Sequence, residues 1–174
     1  MMVLEIKIAR TQKELEQVFE IRYKVFGEEM HYLNIREYPS KKEYDKYDFL
    51  EITTNFIAKE NDIPVGTVRL IRDSSYGFPM DKLINLSFLR KQGKKLVEGS
   101  RYAILPKYRG RLRIAMGLLK IIHNFAIYIG ATDFCICSNT NIIKKGPNIT
   151  ESVSYTHLRA HETRHDLVCR LLLE

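Results

Sequence analysis

The sequence predicts an α/β fold in which helices flank a central mixed sheet that is largely antiparallel. Several short runs alternate apolar and polar residues or are wholly apolar, which is typical of strands. A long stretch with helical periodicity lies between the last two of these runs, so a helix is expected to connect two strands. With 174 residues, of which 45% are hydrophobic, the chain has room for one domain with a substantial core.

The first two predicted elements are a strand and a helix. Residues 3–9 alternate apolar and charged side chains, which predicts a strand. Thr11 precedes Glu14 by three residues, which is the capping-box pattern of a helix start. One helical face then carries Leu15, Val18, Phe19, Arg22 and Phe26. Gly27 is predicted to end this helix.

Residues 28–50 show no clear periodicity and are rich in tyrosine and charged residues. A loop of this length inside a compact domain is either functional or disordered. Its aromatic side chains argue against disorder, so we expect an ordered, functional loop. They are Tyr32, Tyr38, Tyr44, Tyr47 and Phe49.

The following hundred or so residues are predicted to contain four strands and a long helix. In chain order these are a hairpin of residues 53–60 and 63–72, a short helix or irregular segment over 80–88, a strand within 94–105, a helix over 111–129 and a strand over 133–138. Asn61 and Asp62 supply the hairpin turn, and Gly130 closes the long helix.

The charge and the apolar pattern restrict the partners and the location. A net charge of +7 and a pI near 9.3 favour an anionic partner, although a solvated basic surface explains them equally well. The first residues lack the layout of a signal peptide, and no apolar stretch approaches the ~20 residues of a membrane span. A cytoplasmic location is therefore expected, with peripheral membrane contact left open. Cys135 and Cys137 are expected to be free thiols, and no motif supports a metal site.

Residues 153–174 stand apart from the rest of the sequence. The segments VSYTHLRAHET and DLVCRLLLE resemble, in one frame, translated sequencing-adapter DNA. The alternative is a metal site on a helix, since His157, His161 and His165 recur at a spacing of four. Because the adapter explanation accounts for both segments, residues 153–174 are predicted to be a non-native tail, and residues 1–152 a C-terminally truncated domain.

Four segments of the chain resemble the GNAT acyltransferases in order and spacing. They are IRYKVFGEEMHY (residues 21–32), EYDKYD (43–48), PVGTVRL (64–70) and VEGSRYAILPKYRG (97–110). Within that group, the chain is most similar to acyl-homoserine-lactone synthases, N-acyl amino acid synthases and exosortase-associated acyltransferases. The resemblance implies a GNAT-like sheet and transfer of a fatty acyl group from an acyl-carrier-protein or CoA thioester to the amine of an amino acid or related small molecule. It implies no permanently bound cofactor.

The resemblance also implies an amine-substrate site. Arg22, Arg69 and Arg101 match the arginines of the family, and Asp45 and Asp48 complete a charged network with them. Arginine suits such a network because it binds carboxylates in a bidentate manner. The alternative is that these charges only hold the long loop on the sheet.

Two aromatic residues and one glutamate complete the predicted site. Phe26 and Tyr32 resemble the residues that shape the substrate pocket, although Phe26 also suits a core position. Tyr32 stands where a homoserine-lactone synthase usually has tryptophan, which weakens an S-adenosylmethionine substrate and favours an amino acid. Glu98 is the candidate base that removes the amine proton, and its alternative role is to pair with Arg101.

The donor-binding loop departs from the usual GNAT pattern. Ordinary members carry glycines before the long helix that let backbone N–H groups approach the CoA pyrophosphate. Here Leu112 and Arg113 occupy that stretch, and the loop is basic instead. Lys107, Arg109, Gly110, Arg111 and Arg113 are the candidate donor-binding residues. They favour acyl carrier protein over CoA, with a merely solvated basic helix face as the alternative.

Two other functions remain consistent with the sequence. The first is an acetyl-CoA-dependent GNAT N-acetyltransferase, which would bind CoA tightly and ignore acyl carrier protein. The second is a non-catalytic GNAT-like binding module, whose function would survive replacement of Glu98 by glutamine. No nucleic-acid motif accompanies the basic charge, so a nucleic-acid partner is not expected.

Overall fold

The computed structural model describes residues 3–139 and 166–172 of the chain, and its centre is a six-stranded sheet whose order follows the chain. The strands are β1 Leu4–Ile8, β2 Thr53–Glu60, β3 Ile63–Arg72, β4 Leu96–Ile104, β5 Asp133–Asn139 and β6 Asp166–Leu172. All neighbours pair antiparallel except β4 and β5, which are parallel. The predicted mixed, largely antiparallel sheet is confirmed.

Four helical elements of at least five residues flank the sheet: α1 Gln12–Arg22, a π-helix Tyr23–Glu29, α2 Ser87–Lys91 and α3 Leu112–Tyr128. Four short 3-10 helices lie in the connections, at Ile35–Glu37, Lys46–Phe49, Pro79–Lys82 and Pro106–Tyr108. The predicted alternatives for residues 80–88 are resolved as one 3-10 turn and the start of α2, with irregular backbone between them.

The start of α1 is as predicted, but its predicted end at Gly27 is wrong. The Thr11 hydroxyl accepts from the Glu14 N–H, and the Glu14 carboxylate accepts from the Thr11 N–H. The helix then continues without a break into the π-helix, in which Gly27 is buried, and ends at Glu29. Packing of Phe26 and Met30 near the end of β4 extends the helix past the glycine, so tertiary contact overrides the local signal.

The two faces of the sheet have separate cores. On one face, α3 covers the main core, and its buried side chains Ile114, Leu118 and Ile122 pack on apolar residues of β2, β3 and β4. On the opposite face, α1, the π-helix and the long loop cover smaller clusters around Ile57 and Ala103. The polar residues described below lie on this second face.

β4 has two irregularities that position the site. Arg101 and Tyr102 together stand opposite Val68 of β3, which makes a β-bulge, and Arg101 adopts a left-handed φ of 54°. The pairing of β4 with β5 extends only from Leu96 to Gly99. The two strands therefore separate after Gly99, just before the bulge, and the rest of β4 lacks a β5 partner among the described residues.

The tail adds a strand that the sequence did not predict. Because residues 153–174 were excluded from the domain, five strands were expected, whereas β6 pairs antiparallel with β5 over its whole length. The three histidines at 157, 161 and 165 lie outside the described residues. Among the helices that the structure describes, none has the length and apolar character needed to cross a membrane.

Candidate active site

A buried carboxylate, Asp48, is the centre of an ionic network. One of its oxygens accepts from Arg22 Nη1 at 2.9 Å, and the other accepts from Arg69 Nη1 at 3.0 Å. Asn55 on β2 donates to the first oxygen at 3.2 Å and accepts from Arg22 Nη2. Asp48 is held in place locally because it also accepts from the Asp45 N–H, in the cap of the 3-10 helix Lys46–Phe49.

Two further acids of the loop extend the network to β4. Asp45 bridges Arg69 Nη1 at 2.9 Å and Arg101 Nη2 at 3.1 Å. Glu43 accepts from Arg101 Nε at 2.8 Å, and its other oxygen lies 3.9 Å from Arg22. The structure thus brings together all five charged residues predicted for the amine site, with arginines from α1, β3 and β4 facing acids of the loop.

Solvent reaches only part of this network. The side chains of Arg22, Arg69 and Asp48 are fully buried, whereas those of Arg101 and Asp45 are 32% and 27% exposed. Burial acts to raise the pKa of Asp48, but attraction by Arg22 and Arg69 outweighs it, so the pKa lies below its usual value. The buried part is therefore a charged framework, and the exposed part is what a ligand can touch.

Glu98 lies on β4, on the same face as the network, and is almost completely buried. Its Oε2 accepts from the Met80 N–H at 3.1 Å. Burial raises the pKa of Glu98, against the opposing effects of the Met80 hydrogen bond, Arg69, Ser100 and Arg101. Arg101 makes its close ion pairs with Glu43 and Asp45, so the structure does not support Glu98 as its direct partner.

Glu98 lies close to the part of β4 whose backbone is not paired with β5. Glu98 lies in the last part of β4 that pairs with β5, three residues before the bulge at Arg101. A proton acceptor and unpaired strand backbone therefore share one short segment. Carboxylates with raised pKa values and pre-oriented backbone donors are the groups that acyl transfer to an amine requires.

The candidate donor-binding residues surround the start of α3. No side chain caps this helix, so its first N–H groups are free of that contact. Arg109 pairs with Glu29 of the π-helix, and Arg111 and Arg113 both pair with Glu60 at the end of β2. The predicted basic patch is thus partly neutralised, while Lys107 and Gly110 are exposed.

An open groove of about 460 Å³ lies between the π-helix and the β4–α3 connection. Lys24, Glu28, Glu29, Leu105, Pro106, Lys107 and Tyr108 line it. The groove places Lys107 next to the Arg109–Glu29 pair. The groove therefore lies beside the end of β4 and the predicted donor-binding residues.

The two predicted pocket aromatics occupy different environments. Phe26 packs in the small core with Ile21, Val25 and Ala103, which agrees with the alternative that it is a core residue. Tyr32 is 61% exposed and is anchored through its N–H to the Phe26 carbonyl. Neither residue is in the ionic network.

Sequence reasoning missed several contributors to the site. Glu43 stood in the EYDKYD segment but was not assigned a role, and Asn55 on β2 gave only the weak signal of a polar residue at an inward position. Ser100 accepts from Arg69 Nε at 3.1 Å. The Met80 N–H could not have been found, because a backbone donor has no sequence signature. No group of histidine, cysteine and acidic residues in the described part could hold a metal ion.

Comparison with known proteins places the chain in a family. Residues 17–145 match the family model described as N-acyl amino acid synthase FeeM. The chain belongs to this family. The matched range includes the whole ionic network, Glu98 and α3.

Solved structures show the same fold. FeeM, an N-acyl amino acid synthase from uncultured soil microbes, superposes with a TM-score of 0.79 at 18% identity, covering 99% of this chain and 92% of that one. The CoA-dependent acyl-homoserine lactone synthase BjaI superposes with a TM-score of 0.70 at 22% identity, covering 99% and 84%. The predicted likeness to GNAT-type N-acyl amino acid and acyl-homoserine-lactone synthases is confirmed.

Two curated relatives are L-ornithine N(alpha)-acyltransferases. The protein of Agrobacterium fabrum is 29% identical over 125 residues, which are 65% of this chain and 43% of the relative. The protein of Rhizobium meliloti is 28% identical over 129 residues, 65% of this chain and 42% of the relative. The chain thus spans less than half the length of these relatives.

Proposed function

We propose that the protein is an N-acyltransferase that moves a fatty acyl group from a thioester to the amine of an amino acid. The observation that carries the proposal is Glu98, a buried carboxylate with a raised pKa, placed where β4 and β5 part. A base with a pKa moved toward neutrality removes an ammonium proton more effectively than an ordinary glutamate.

The acceptor is proposed to bind at the exposed edge of the ionic network. Arg101 and Asp45 are the network members that solvent reaches, and they carry opposite charges. Arg101 suits the carboxylate of an amino acid, and Asp45 suits its ammonium group. The curated relatives make ornithine the first acceptor to test.

The donor is proposed to lie along the free part of β4, with its phosphate near the start of α3. The uncapped helix end and Lys107 favour an anion there. Acyl carrier protein is the favoured donor, because the loop lacks the glycines that approach the CoA pyrophosphate. The Arg109–Glu29 and Arg111–Glu60 pairs leave fewer free cations for an acidic carrier protein, so CoA remains the competing donor.

The proposed reaction proceeds by direct attack. Glu98 takes a proton from the acceptor ammonium group, and the neutral amine attacks the thioester carbonyl. A backbone N–H of β4 after Arg101 stabilises the oxyanion of the tetrahedral intermediate. The attacking nitrogen loses its second proton to solvent, the intermediate collapses to the amide and expels the thiolate, and the proton held by Glu98 passes to the thiolate to give the free thiol.

The test is a thiol-release assay with the full chain. Acyl-carrier-protein and CoA thioesters of several chain lengths are each offered with ornithine and with a mixture of other amino acids. Release of free thiol that depends on the amine, with formation of the N-acyl product by mass spectrometry, is the expected result. Absence of release with every donor and acceptor would contradict the proposal.

The same assay addresses the competing functions. Activity with acetyl-CoA alone, together with indifference to acyl carrier protein, would identify an N-acetyltransferase instead. A cellular phenotype that persists in Glu98→Gln would identify a non-catalytic binding module.

A further inference from the structure

Residues 73–91, here called the cap segment, cover one side of Glu98. The segment contains the 3-10 helix Pro79–Lys82 and α2, and it buries four apolar side chains against the sheet. They are Phe78, Met80, Leu86 and Leu89, which pack with Tyr47, Ile71, Leu96 and Cys135. Through the Met80 N–H, the cap segment also supplies a direct hydrogen bond to the Glu98 carboxylate.

One arginine ties this segment together. Arg90 on α2 donates from Nε and Nη2 to the two oxygens of Asp73, both at 2.8 Å. It donates from Nη1 and Nη2 to the two oxygens of Asp81, at 3.0 and 2.8 Å. Its guanidinium therefore joins the beginning, the middle and the end of the cap segment in a doubly bidentate contact.

The contacts of Arg90 lead to the backbone at Met80. Asp81 accepts from the Phe78 N–H at 2.7 Å, and the Arg90 guanidinium lies over the Phe78 ring, 5.3 Å from its centroid. Phe78 and Asp81 flank Met80 within three residues. Replacing Arg90 would therefore alter the position of the Met80 N–H through Phe78 and Asp81, although Arg90 does not contact Glu98.

We propose that Arg90 is a positioning residue for the acyl-transfer reaction, because it holds the cap segment so that the Met80 N–H remains hydrogen bonded to Glu98. The inference rests on the proposed function. Of the groups around Glu98, the Met80 N–H is the one whose position would depend on Arg90. The other groups facing Glu98 belong to different elements: Arg69 on β3, Ser100 and Arg101 on β4, Tyr47 in the loop and Cys135 on β5.

The decisive readout is the ionisation of Glu98, because a merely structural arginine would not change it. The Met80 hydrogen bond favours the charged carboxylate and so lowers its pKa against the effect of burial. When Arg90 no longer holds the cap segment, this hydrogen bond weakens and the pKa of Glu98 rises further. The acidic limb of the rate profile then moves to higher pH.

The experiment compares Arg90→Gln with Arg72→Gln in the full chain. Arg72 is an exposed arginine at the end of β3 that donates to the Glu51 carbonyl, so it is a matched control. In R90Q we expect a fall in kcat of about 10- to 100-fold with a small change in KM, and an acidic limb at higher pH. Arg90→Lys, which retains one ion pair, should lie between wild type and R90Q. R72Q should behave as wild type.

A measurement that needs no activity separates the inference from the proposed function. The amide proton of Met80 should titrate with Glu98 in NMR spectra, and in R90Q this titration should move to higher pH or vanish, with about tenfold faster amide exchange. A folded R90Q with the wild-type titration and pH profile would overturn the inference. If wild type releases no thiol but the titration shifts as expected, the proposed function fails and the structural role of Arg90 stands.

A second variant covers the case in which R90Q does not fold. Asp81→Asn removes one acceptor of Arg90 and weakens the Phe78 contact, while the Arg90–Asp73 pair stays in place. The same shift of the Met80 titration, smaller in size, is expected. An unchanged titration in D81N would overturn the inference.

Discussion

Individual charged side chains of this protein fall into two groups with different costs of burial. Arg22, Arg69 and Asp48 are buried but satisfied by one another, so removing one of them leaves its partners charged in a dry environment, at a cost of about 3–5 kcal/mol. No arginine or lysine of the described residues forms an ion pair with Glu98, which lies where burial opposes its ionisation. Removing a member of the network is therefore expected to destabilise the fold, whereas removing the charge of Glu98 is expected to stabilise it.

Glu98→Gln should therefore reduce activity and increase stability. Glutamine still accepts from the Met80 N–H but carries no charge. The folded-state pKa of Glu98 is raised above its usual 4.5, so the wild type loses stability as pH rises through the interval between these two values. The melting temperature of E98Q should match that of wild type below pH 4.5 and exceed it at neutral pH.

The same substitution, which should increase stability, should reduce the catalytic rate. Loss of the base should lower the rate of thiol release by about 10²–10⁴-fold and abolish the acidic limb of the profile. Glu37→Gln, at an exposed position in the loop, is the control and should change neither property. An E98Q protein as active as wild type would remove Glu98 from the mechanism.

At the scale of elements, the close packing of β4 on β5 requires a glycine at position 99. Gly99 is the last residue of β4 that pairs with β5, and a Cβ built on it would lie 2.5 Å from Cε1 of the Phe134 ring. The ring of Phe134 occupies the space that any other residue at position 99 would need. The last β4–β5 pair therefore has room only for glycine at position 99.

Gly99→Ala should destabilise the protein by about 1–3 kcal/mol, because the added methyl group displaces a buried aromatic ring. The measurement is the free energy of unfolding in urea. Gly110→Ala is the matched control, since a Cβ there meets no atom within 4 Å and its φ is not left-handed. Equal stability of the two variants would contradict the assigned role of Gly99.

Much of the secondary structure is predictable from the sequence, and the predictions that are wrong have physical causes. The hairpin of β2 and β3 has the predicted bounds, because alternation and a two-residue turn are local signals. The predicted helix end at Gly27 is wrong because contacts of the π-helix with residues distant in sequence outweigh the local tendency of glycine to end a helix. The ionic pairs of Glu29 and Glu60 with the donor loop join residues far apart in sequence, so no local pattern announced them.

At the scale of the whole molecule, the ionic network and β6 come from different parts of the sequence and of the sheet. Every member of the ionic network lies between residues 22 and 101, whereas β6 contacts the sheet at the far edge, on β5. We propose that residues 153–174 are a non-native tail. Its strand pairs with the edge of β5.

Deleting residues 153–174 should leave thiol release within about twofold of the full chain, because the catalytic groups keep their neighbours. It should also expose the backbone of β5 and increase self-association, which light scattering at rising concentration would detect. Loss of activity in a shortened chain that is still folded and monomeric would show that the tail belongs to the working protein.

The order of the strands in the sheet has a consequence for synthesis on the ribosome. Each strand pairs with the strand made just before it, so the growing sheet can add one strand at a time as the chain emerges. The arginines and acids of the network are all present once β4 has left the exit tunnel. The most highly charged part of the interior can therefore find its partners before α3, β5 and β6 have emerged from the tunnel, when few competing surfaces are available.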